Sequence, residues 1–314
     1  MINQRIFRRA DVLTPEIDDM DLWSKNQEVD FFNKSLKVTT PETLFYTTKD
    51  HRYLAYWPKK WKGEKSTLQS RNTYIGDYTE KWSKEILTSI AEELDAYAVN
   101  KVVCEELSLP QESAADVAIC KKDSKVQNAE DILAIFEVKM SIVWNWEPKK
   151  SKGKSSLACL GDYRTHQGNP GLLRSDSMLK AIGKSINVRI SSRGAAKIPI
   201  IVLGNTPIHE SYSKKVDNLK RYGIIQGFWS LNPKPLDNGK ESISSTKGSG
   251  FIRFDSYKSF KREALNMLQN DLQFFAGMKS KTGLGKFIQI ADGEDTYEKK
   301  ATKFLELIGE EVVL

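Results

Sequence analysis

The sequence predicts an α/β fold in which helices flank a central β-sheet, with further segments added at both ends. The order of hydrophobic patterns supports this prediction, because a helical pattern is followed by three apolar strands, a second helix and another strand. Residues 198–203 are almost continuously apolar, as expected of a strand that is covered on both faces. At 314 residues, the chain is long enough for one large domain or two small ones.

The first helix is predicted over residues 76–94, where apolar side chains recur at every fourth position. These side chains are Tyr78, Trp82, Ile86, Ile90 and Leu94. Glu80 falls at one edge of this apolar stripe. Three strands are then predicted over residues 99–103, 115–120 and 132–139, and the polar residues 121–131 are expected to join the last two as in a hairpin.

Two of these strands carry acidic residues within apolar surroundings. Asp116 lies in the second strand, and the third ends in Glu137-Val138-Lys139. Because side chains alternate between the faces of a strand, Glu137 and Lys139 should point the same way. Unpaired buried charge is costly, so these residues need an explanation, and a metal ion shared by both carboxylates would provide one.

Other acid-x-Lys triplets occur in the chain, but their surroundings differ. Asp123-Ser124-Lys125 lies in a polar turn, Glu147-Pro148-Lys149 contains a proline that a central strand excludes, and Glu298-Lys299-Lys300 lies in a helical pattern. Only Glu137-Val138-Lys139 ends an apolar strand with an Asp-bearing strand just before it. The alternative for this group is an ion pair on an exposed edge of the sheet.

Ala115-Asp116 followed by Glu137-Val138-Lys139 resembles the motif of the PD-(D/E)xK nuclease superfamily, and within it the type II restriction endonucleases. Alanine stands where the family usually has proline. The resemblance covers residues 76–205. It implies a restriction-endonuclease-like core, which is a mixed central β-sheet with an antiparallel hairpin joined to parallel strands and helices on both faces.

The resemblance also implies a function, which is sequence-specific, Mg²⁺-dependent hydrolysis of phosphodiester bonds in double-stranded DNA. Asp116 and Glu137 would bind Mg²⁺ through hard oxygen ligands, and Mn²⁺ is expected to substitute. Lys139 would position or activate the attacking water. Glu80 would assist at the metal site, and the alternative is that it is a solvated glutamate on the flank of its helix. A palindromic target would call for a homodimer, and such a restriction enzyme is expected in the cytoplasm of a prokaryotic cell.

Candidate DNA contacts follow the third strand. Side chains that can read base edges occur within residues 162–174. They are Arg164, His166, Gln167, Asn169 and Arg174. Lys180 and Lys184 are spaced i, i+4 on the next predicted helix, which begins near Ser175, and would approach the phosphate backbone. The alternative for all of these residues is an ordinary solvated surface.

The two ends of the chain are less easily interpreted. Residues 1–75 are expected to form an N-terminal extension that packs on the core or contacts DNA, and residues 76–314 a nuclease domain with C-terminal helical additions. Aromatic residues interleaved with lysines between residues 45 and 62 are able to stack on bases, although packing into the core is the simpler interpretation. Residues 148–154 are rich in lysine, glycine and serine and predict an exposed loop.

The composition of the chain argues against some kinds of site and leaves other functions open. The net charge is +7, which is compatible with a polyanionic partner. Three cysteines and three histidines without a Cys/His cluster argue against a zinc site. No apolar run is long enough to span a membrane. Two alternative functions stay open, namely a structure-specific or repair DNA nuclease of the same fold, and a non-catalytic DNA-binding protein.

Overall fold

The computed structural model describes residues 20–63, 68–151, 154–237, 242–269, 272–273 and 279–309. Residues 1–19 of the predicted N-terminal extension therefore lie outside the described residues. Among the described helices, none has the length and apolar character that crossing a bilayer requires.

The helices and strands follow one another along the whole described chain. The helices are α1 (Lys25–Ser35), α2 (Pro41–Leu44), α3 (Gln69–Glu92), α4 (Ser175–Ser191), α5 (Ser213–Arg221), α6 (Tyr257–Leu268), α7 (Lys281–Asp292) and α8 (Tyr297–Gly309). The strands are β1 (Tyr46–Thr47), β2 (Tyr53–Leu54), β3 (Tyr97–Val102), β4 (Ala115–Cys120), β5 (Ile132–Val138), β6 (Asn145–Ser151), β7 (Lys154–Gly161), β8 (Ile200–Gly204), β9 (Gly227–Ser230), β10 (Phe251–Arg253), β11 (Leu272–Gln273) and β12 (Lys279–Ser280).

A six-stranded mixed sheet with the order β10-β9-β8-β5-β4-β3 forms the centre of the fold. Strand β4 is antiparallel to both of its neighbours, β3 and β5, whereas β5, β8, β9 and β10 are parallel. Helices α1, α3 and α6 pack on one face, and α4 and α5 pack on the other. The predicted α/β fold with a mixed sheet flanked by helices is therefore confirmed.

The register between β4 and β5 brings the predicted acidic residues together. Val117 pairs with Phe136, and extending this antiparallel register by one residue sets Asp116 opposite Glu137. Strand β5 lies between β4 and β8 in the interior of the sheet. The alternative of an ion pair on an exposed sheet edge does not describe this position.

Two predicted boundaries differ from the structure. Helix α3 begins at Gln69 and so runs across the division predicted at residue 75. The loop predicted over residues 148–154 is wrong for residues 148–151 and 154, because β6 and β7 pair there as an antiparallel ribbon, and residues 152–153 lie outside the described residues. Pro148 is tolerated in this ribbon because a two-stranded ribbon consists only of edge strands. The register of the ribbon comes from cross-strand pairing, which a polar sequence does not reveal.

Residues before α3 share the main hydrophobic core of the sheet. Trp23, Phe31 and Phe32 are buried in the same cluster as Phe136 of β5 and Ile201 of β8. The described part of the predicted N-terminal extension is thus continuous with the core. Aromatic burial on this scale contributes substantially to stability, because each ring removes a large apolar area from water.

The side chain of Glu28 links α1 by hydrogen bonds to the segment that leads into β6. Its carboxylate is fully buried and accepts four hydrogen bonds from N–H donors. The Trp23 indole donates at 3.3 Å, the Val143 amide at 2.5 Å, the Trp144 amide at 3.2 Å and the Trp146 indole at 2.7 Å. Burial raises the pKa of Glu28 to about 8, although these donors act in the opposite direction.

At about pH 5, where the raised pKa keeps the Glu28 carboxyl protonated in the folded state, we expect Glu28→Gln to destabilise the protein by about 1–3 kcal/mol, because the amide places two N–H donors among N–H donors where the carboxyl places one O–H. Chemical denaturation measures the change. Glu85→Gln on the exposed side of α3 is the matched control and should change stability by less than about 0.5 kcal/mol. Equal stability of Glu28→Gln and the wild type would contradict the four-donor arrangement.

The same pair of proteins tests the titration of Glu28. Its raised pKa means that the folded state keeps a proton that the unfolded chain releases above about pH 4.5. This group therefore lowers wild-type stability progressively from about pH 4.5 to about pH 8 and changes it no further above that range. The Glu28→Gln variant should lack this component of the pH dependence.

Candidate active site

Asp116 and Glu137 form the acidic centre of the site. Because β4 and β5 are antiparallel, the start of β4 adjoins the end of β5. Asp116 Oδ2 accepts a hydrogen bond from the Val138 amide at 2.7 Å, which fixes the carboxylate beside the end of β5. Glu137 is only 4% exposed. Like charges opposite each other across two strands repel, so this pair requires compensating cations.

Two lysines provide that compensation by bridging both carboxylates. Lys139 Nζ lies 2.6 Å from Glu137 Oε1 and 3.4 Å from Asp116 Oδ2. Lys184 Nζ lies 2.7 Å from Glu137 Oε2 and 3.6 Å from Asp116 Oδ1. Each carboxylate thus faces one ammonium group through each of its oxygens.

Lys139 is held in its charged form by this arrangement. Burial alone would lower the pKa of Lys139, but the negative charges of Glu137 and Asp116 outweigh it and raise the pKa above its ordinary value. An ammonium can orient a water or hold a phosphate oxygen but cannot accept a proton. Lys139 is therefore a positioning and charge-compensating group as long as both carboxylates face it.

Glu80 of α3 belongs to the same electrostatic cluster. Burial, and then the charge of Asp116, raise the pKa of Glu80 to about 7. Its Oε2 atom is buried without a hydrogen-bond partner. The nearest cation is Lys101, whose Nζ lies 3.9 Å from that oxygen. Asn100 fixes this part of α3 by donating from its side-chain amide to the Glu80 carbonyl at 2.9 Å.

The donor chemistry of this cluster fits a hard divalent cation such as Mg²⁺. Mg²⁺ is commonly held by one or two carboxylates together with waters and substrate phosphates, and Asp116 and Glu137 supply two. Glu80, whose Oε2 atom has no hydrogen-bond partner, supplies a third carboxylate. Within the described ranges, however, no three acidic, His or Cys side chains are already arranged as a cation cage. The lysine ammonium groups lie against the same oxygens, so a cation would have to displace them.

Gly171 lies just before the start of α4 and packs closely against the backbone of Lys139. Its φ of +52° lies in the left-handed region, which favours glycine. A Cβ at this position would lie 2.9 Å from Thr206 Oγ1 and 3.1 Å from the Lys139 carbonyl oxygen. The chain can therefore approach the end of β5 closely here. This contact helps to set where α4 begins, and with it the position of Lys184.

The two lysines of α4 have different surroundings. Lys180 is exposed and forms an ion pair with Asp176 at 3.1 Å, as expected of a solvated face. Lys184 lies in the acidic cluster and also donates to the Ala114 carbonyl at 2.8 Å. Sequence reasoning grouped Lys184 with Lys180 and missed this role. The available signal was its position beside the buried stripe of α4, three residues after Ala181 and four before Val188.

The residues predicted to read bases are distributed unevenly. His166 is buried, stacks on Tyr56 with 3.9 Å between ring centroids, and has its ring nitrogens beside the carbonyls of Gln167 and Val143. A base contact by His166 conflicts with this burial, so that assignment is corrected to a core residue. Arg164 is exposed. Gln167, Asn169 and Arg174 line one cavity together with Ser141.

Comparison of the chain with protein-family models, with curated proteins and with solved structures found no match.

We expect Lys184→Met to lower the free energy of unfolding by about 1–3 kcal/mol, because Asp116 and Glu137 lose one of their two bridging cations. Lys180→Met removes a lysine one turn earlier and should change stability by less than about 0.5 kcal/mol. Thermal denaturation at neutral pH without divalent ions measures both.

Adding Ca²⁺ extends this experiment to cation binding. Ca²⁺ should raise the Tm of Lys184→Met more than that of Lys180→Met, because the ion replaces the missing positive charge. If Lys184→Met and Lys180→Met have equal stability and equal response to Ca²⁺, the bridging role of Lys184 is wrong.

Proposed function

We propose that this protein is an endodeoxyribonuclease of the type II restriction kind, which hydrolyses phosphodiester bonds of double-stranded DNA at specific sequences in the presence of Mg²⁺. The observation that carries the proposal is the convergence of Asp116, Glu137 and Lys139 at the ends of two central strands. Glu147-Pro148-Lys149 also lies in a paired strand, but its partner β7 carries no acidic residue.

The strand arrangement supports the same proposal. An antiparallel unit, β3-β4-β5, continues into the parallel strands β8 and β9, and helices cover both faces. This is the order expected of a restriction-endonuclease-like core. The acidic centre lies where the antiparallel unit meets the parallel strands.

Each residue of the site has its own role in the proposed reaction. Asp116 and Glu137 would hold Mg²⁺, which when bound acidifies a water and offsets charge developing on the phosphate. Lys139, once released from Glu137, points at the same centre and orients the attacking water. Lys184 brings a second ammonium to the site, where it can contact a non-bridging phosphate oxygen. Glu80, with its pKa near 7, can hold or release a proton beside Asp116.

Digestion of a long, sequenced, unmethylated DNA tests the proposal directly. The purified protein is incubated with Mg²⁺, Mn²⁺ or EDTA, and the fragments are separated on one gel. Discrete bands with either metal and none with EDTA are the expected result, and sequencing of the ends defines the target site. A smear, or cutting of branched DNA only, would replace the proposal by the structure-specific nuclease. Binding without cutting would replace it by the non-catalytic protein.

We expect Glu137→Gln and Lys139→Met each to reduce cleavage by about 10²–10⁴-fold, because the first removes a metal ligand and the second the group that positions water. Binding should persist in both variants, since Glu137→Gln removes a negative charge and Lys184 still bridges both carboxylates in Lys139→Met. Gel-shift and cleavage assays on the same duplex separate the two effects.

The matched controls are Asp123→Asn and Lys125→Met. They alter an acid-x-Lys triplet of the same spacing that lies in the exposed turn between β4 and β5. Their cleavage rates should stay within about twofold of wild type, as expected of surface substitutions away from the site. Undiminished cleavage by Glu137→Gln would exclude the acidic centre as the catalytic site.

A further inference from the structure

Lys101 combines an unusual backbone conformation with a position beside the acidic centre. Its φ of +55° lies in the left-handed region, which residues with a Cβ rarely adopt. Four other described residues besides glycine have such a φ, and all of them lie in turns or at helix ends. Among the described residues, only Lys101 has it within a strand, β3 of the central sheet. Strained residues of this kind cluster at functional sites, so this conformation calls for an explanation.

The register of the sheet places Lys101 across from Asp116. The pairing of β3 with β4 runs from residue 97 opposite residue 120 to residue 102 opposite residue 115. This register sets Lys101 opposite Asp116, and neighbouring strands lie about 4.8 Å apart. The backbone of Lys101 is therefore one strand away from the acidic centre.

The left-handed backbone turns the side chain of Lys101 toward α3. Side chains alternate between the faces of a strand, so Lys101 would ordinarily share the face of Val99, which is buried on the side of α4. Its Nζ atom instead lies 2.9 Å from Asp77 Oδ1 and 3.9 Å from Glu80 Oε2, and both of these residues belong to α3. The ammonium therefore lies on the α3 side of the sheet, beside Glu80.

The ammonium of Lys101 is more accessible than those inside the acidic centre. Its side chain is 56% exposed, whereas those of Lys139 and Lys184 are 19% and 20% exposed. Its partner Asp77 is 52% exposed, and an ion pair between two exposed groups is weak. A phosphate oxygen can therefore replace Asp77 as the partner of Lys101 at little cost.

The charge and the shape of this side chain suit a phosphate. The hydrogen bond to Asp77, together with the nearby charges of Glu80, Asp77 and Asp116, raises the pKa of Lys101 and keeps it charged. An ammonium on a flexible stem binds phosphate as a point charge. The distance between neighbouring strands is comparable with one or two steps of a DNA strand, at about 3.4 Å each. A DNA strand with one phosphate at the acidic centre can thus bring the next phosphates near Lys101.

We propose that Lys101 is a substrate-positioning residue, whose ammonium leaves Asp77 and binds a backbone phosphate of the DNA next to the one at the acidic centre. The inference rests on the proposed function, because it takes duplex DNA as the substrate. The left-handed backbone serves this role by holding the ammonium on the α3 side, where it compensates a phosphate rather than Asp116. Such a contact adds affinity and fixes the position of the duplex without selecting a sequence.

Replacement of Lys101 by asparagine tests the inference. Asparagine removes the charge and tolerates a left-handed φ, so Lys101→Asn should fold. Binding is measured in the cleavage-deficient Glu137→Gln protein on a labelled target duplex, at salt concentrations from about 50 to 200 mM. Lys101→Asn should weaken binding about three- to tenfold at about 100 mM salt. It should also reduce the slope of log Kd against log salt concentration by about one, because the duplex loses one phosphate contact.

Lys122→Asn is the matched control. Lys122 is 62% exposed and lies 2.7 Å from Asp131, much as Lys101 lies beside Asp77, but it follows the opposite end of β4 from Asp116. This variant should change the affinity by less than about twofold and leave the salt slope unaltered. Thermal denaturation of both variants checks that each is folded.

Asp77→Asn tests whether Asp77 and DNA compete for the same ammonium. In the protein that keeps Lys101, it should tighten DNA binding at least about threefold, because the ammonium is then free. Removal of the negative charge also reduces repulsion of the DNA, and this part should be the same with and without Lys101. In the Lys101→Asn protein the gain should therefore fall below about 1.5-fold, since the two effects are coupled only through the ion pair.

Each result has a defined meaning. Equal affinity and equal salt slope of Lys101→Asn and Lys122→Asn would show that the inference is wrong. Weaker binding with an unchanged slope would give Lys101 a structural role only and would also overturn the phosphate contact. In both cases, specific cleavage by the wild type would leave the proposed function standing. Failure of the wild type to bind or cut duplex DNA would remove the proposed function and this inference with it.

Discussion

The cross-strand pairing of Asp116 with Glu137 is the constraint on which the site depends. Two carboxylates face each other at the junction of β4 and β5, one of them almost fully buried. Their repulsion would oppose this register unless cations lay between them. Lys139 comes from the same strand end and Lys184 from α4. The segment around Gly171 and the packing of α4 on the sheet are therefore parts of the same electrostatic arrangement.

In the structure, two ammonium groups neutralise the two carboxylates. Under the proposed function, a divalent cation would take the carboxylate oxygens and leave the lysines available to a phosphate. The proposed DNA substrate carries both cations and phosphates, and the net charge of +7 is compatible with such a polyanion.

The N-terminal part of the fold is joined to the strands that carry the site. Glu28 joins α1 to the start of β6, and the segment around Trp57 hydrogen-bonds to the segment around Gln167. Helix α3 packs between this part and the sheet, and Arg71 and Glu80, nine residues apart, lie on opposite sides of it. Burial of Arg71 and the approach of Glu80 to Asp116 therefore fix the same helix from two sides.

The sequence by itself determined the sheet strands around the acidic centre and the identity of Asp116, Glu137 and Lys139. It did so because a strand has a side-chain period of two, and charged residues that interrupt an apolar strand are conspicuous. Only the tertiary structure decided the role of Lys184, the burial of His166 and the β6–β7 ribbon. These features depend on contacts between residues distant in the chain, such as His166 with Tyr56 and Lys184 with Glu137. Local periodicity carries no information about such contacts.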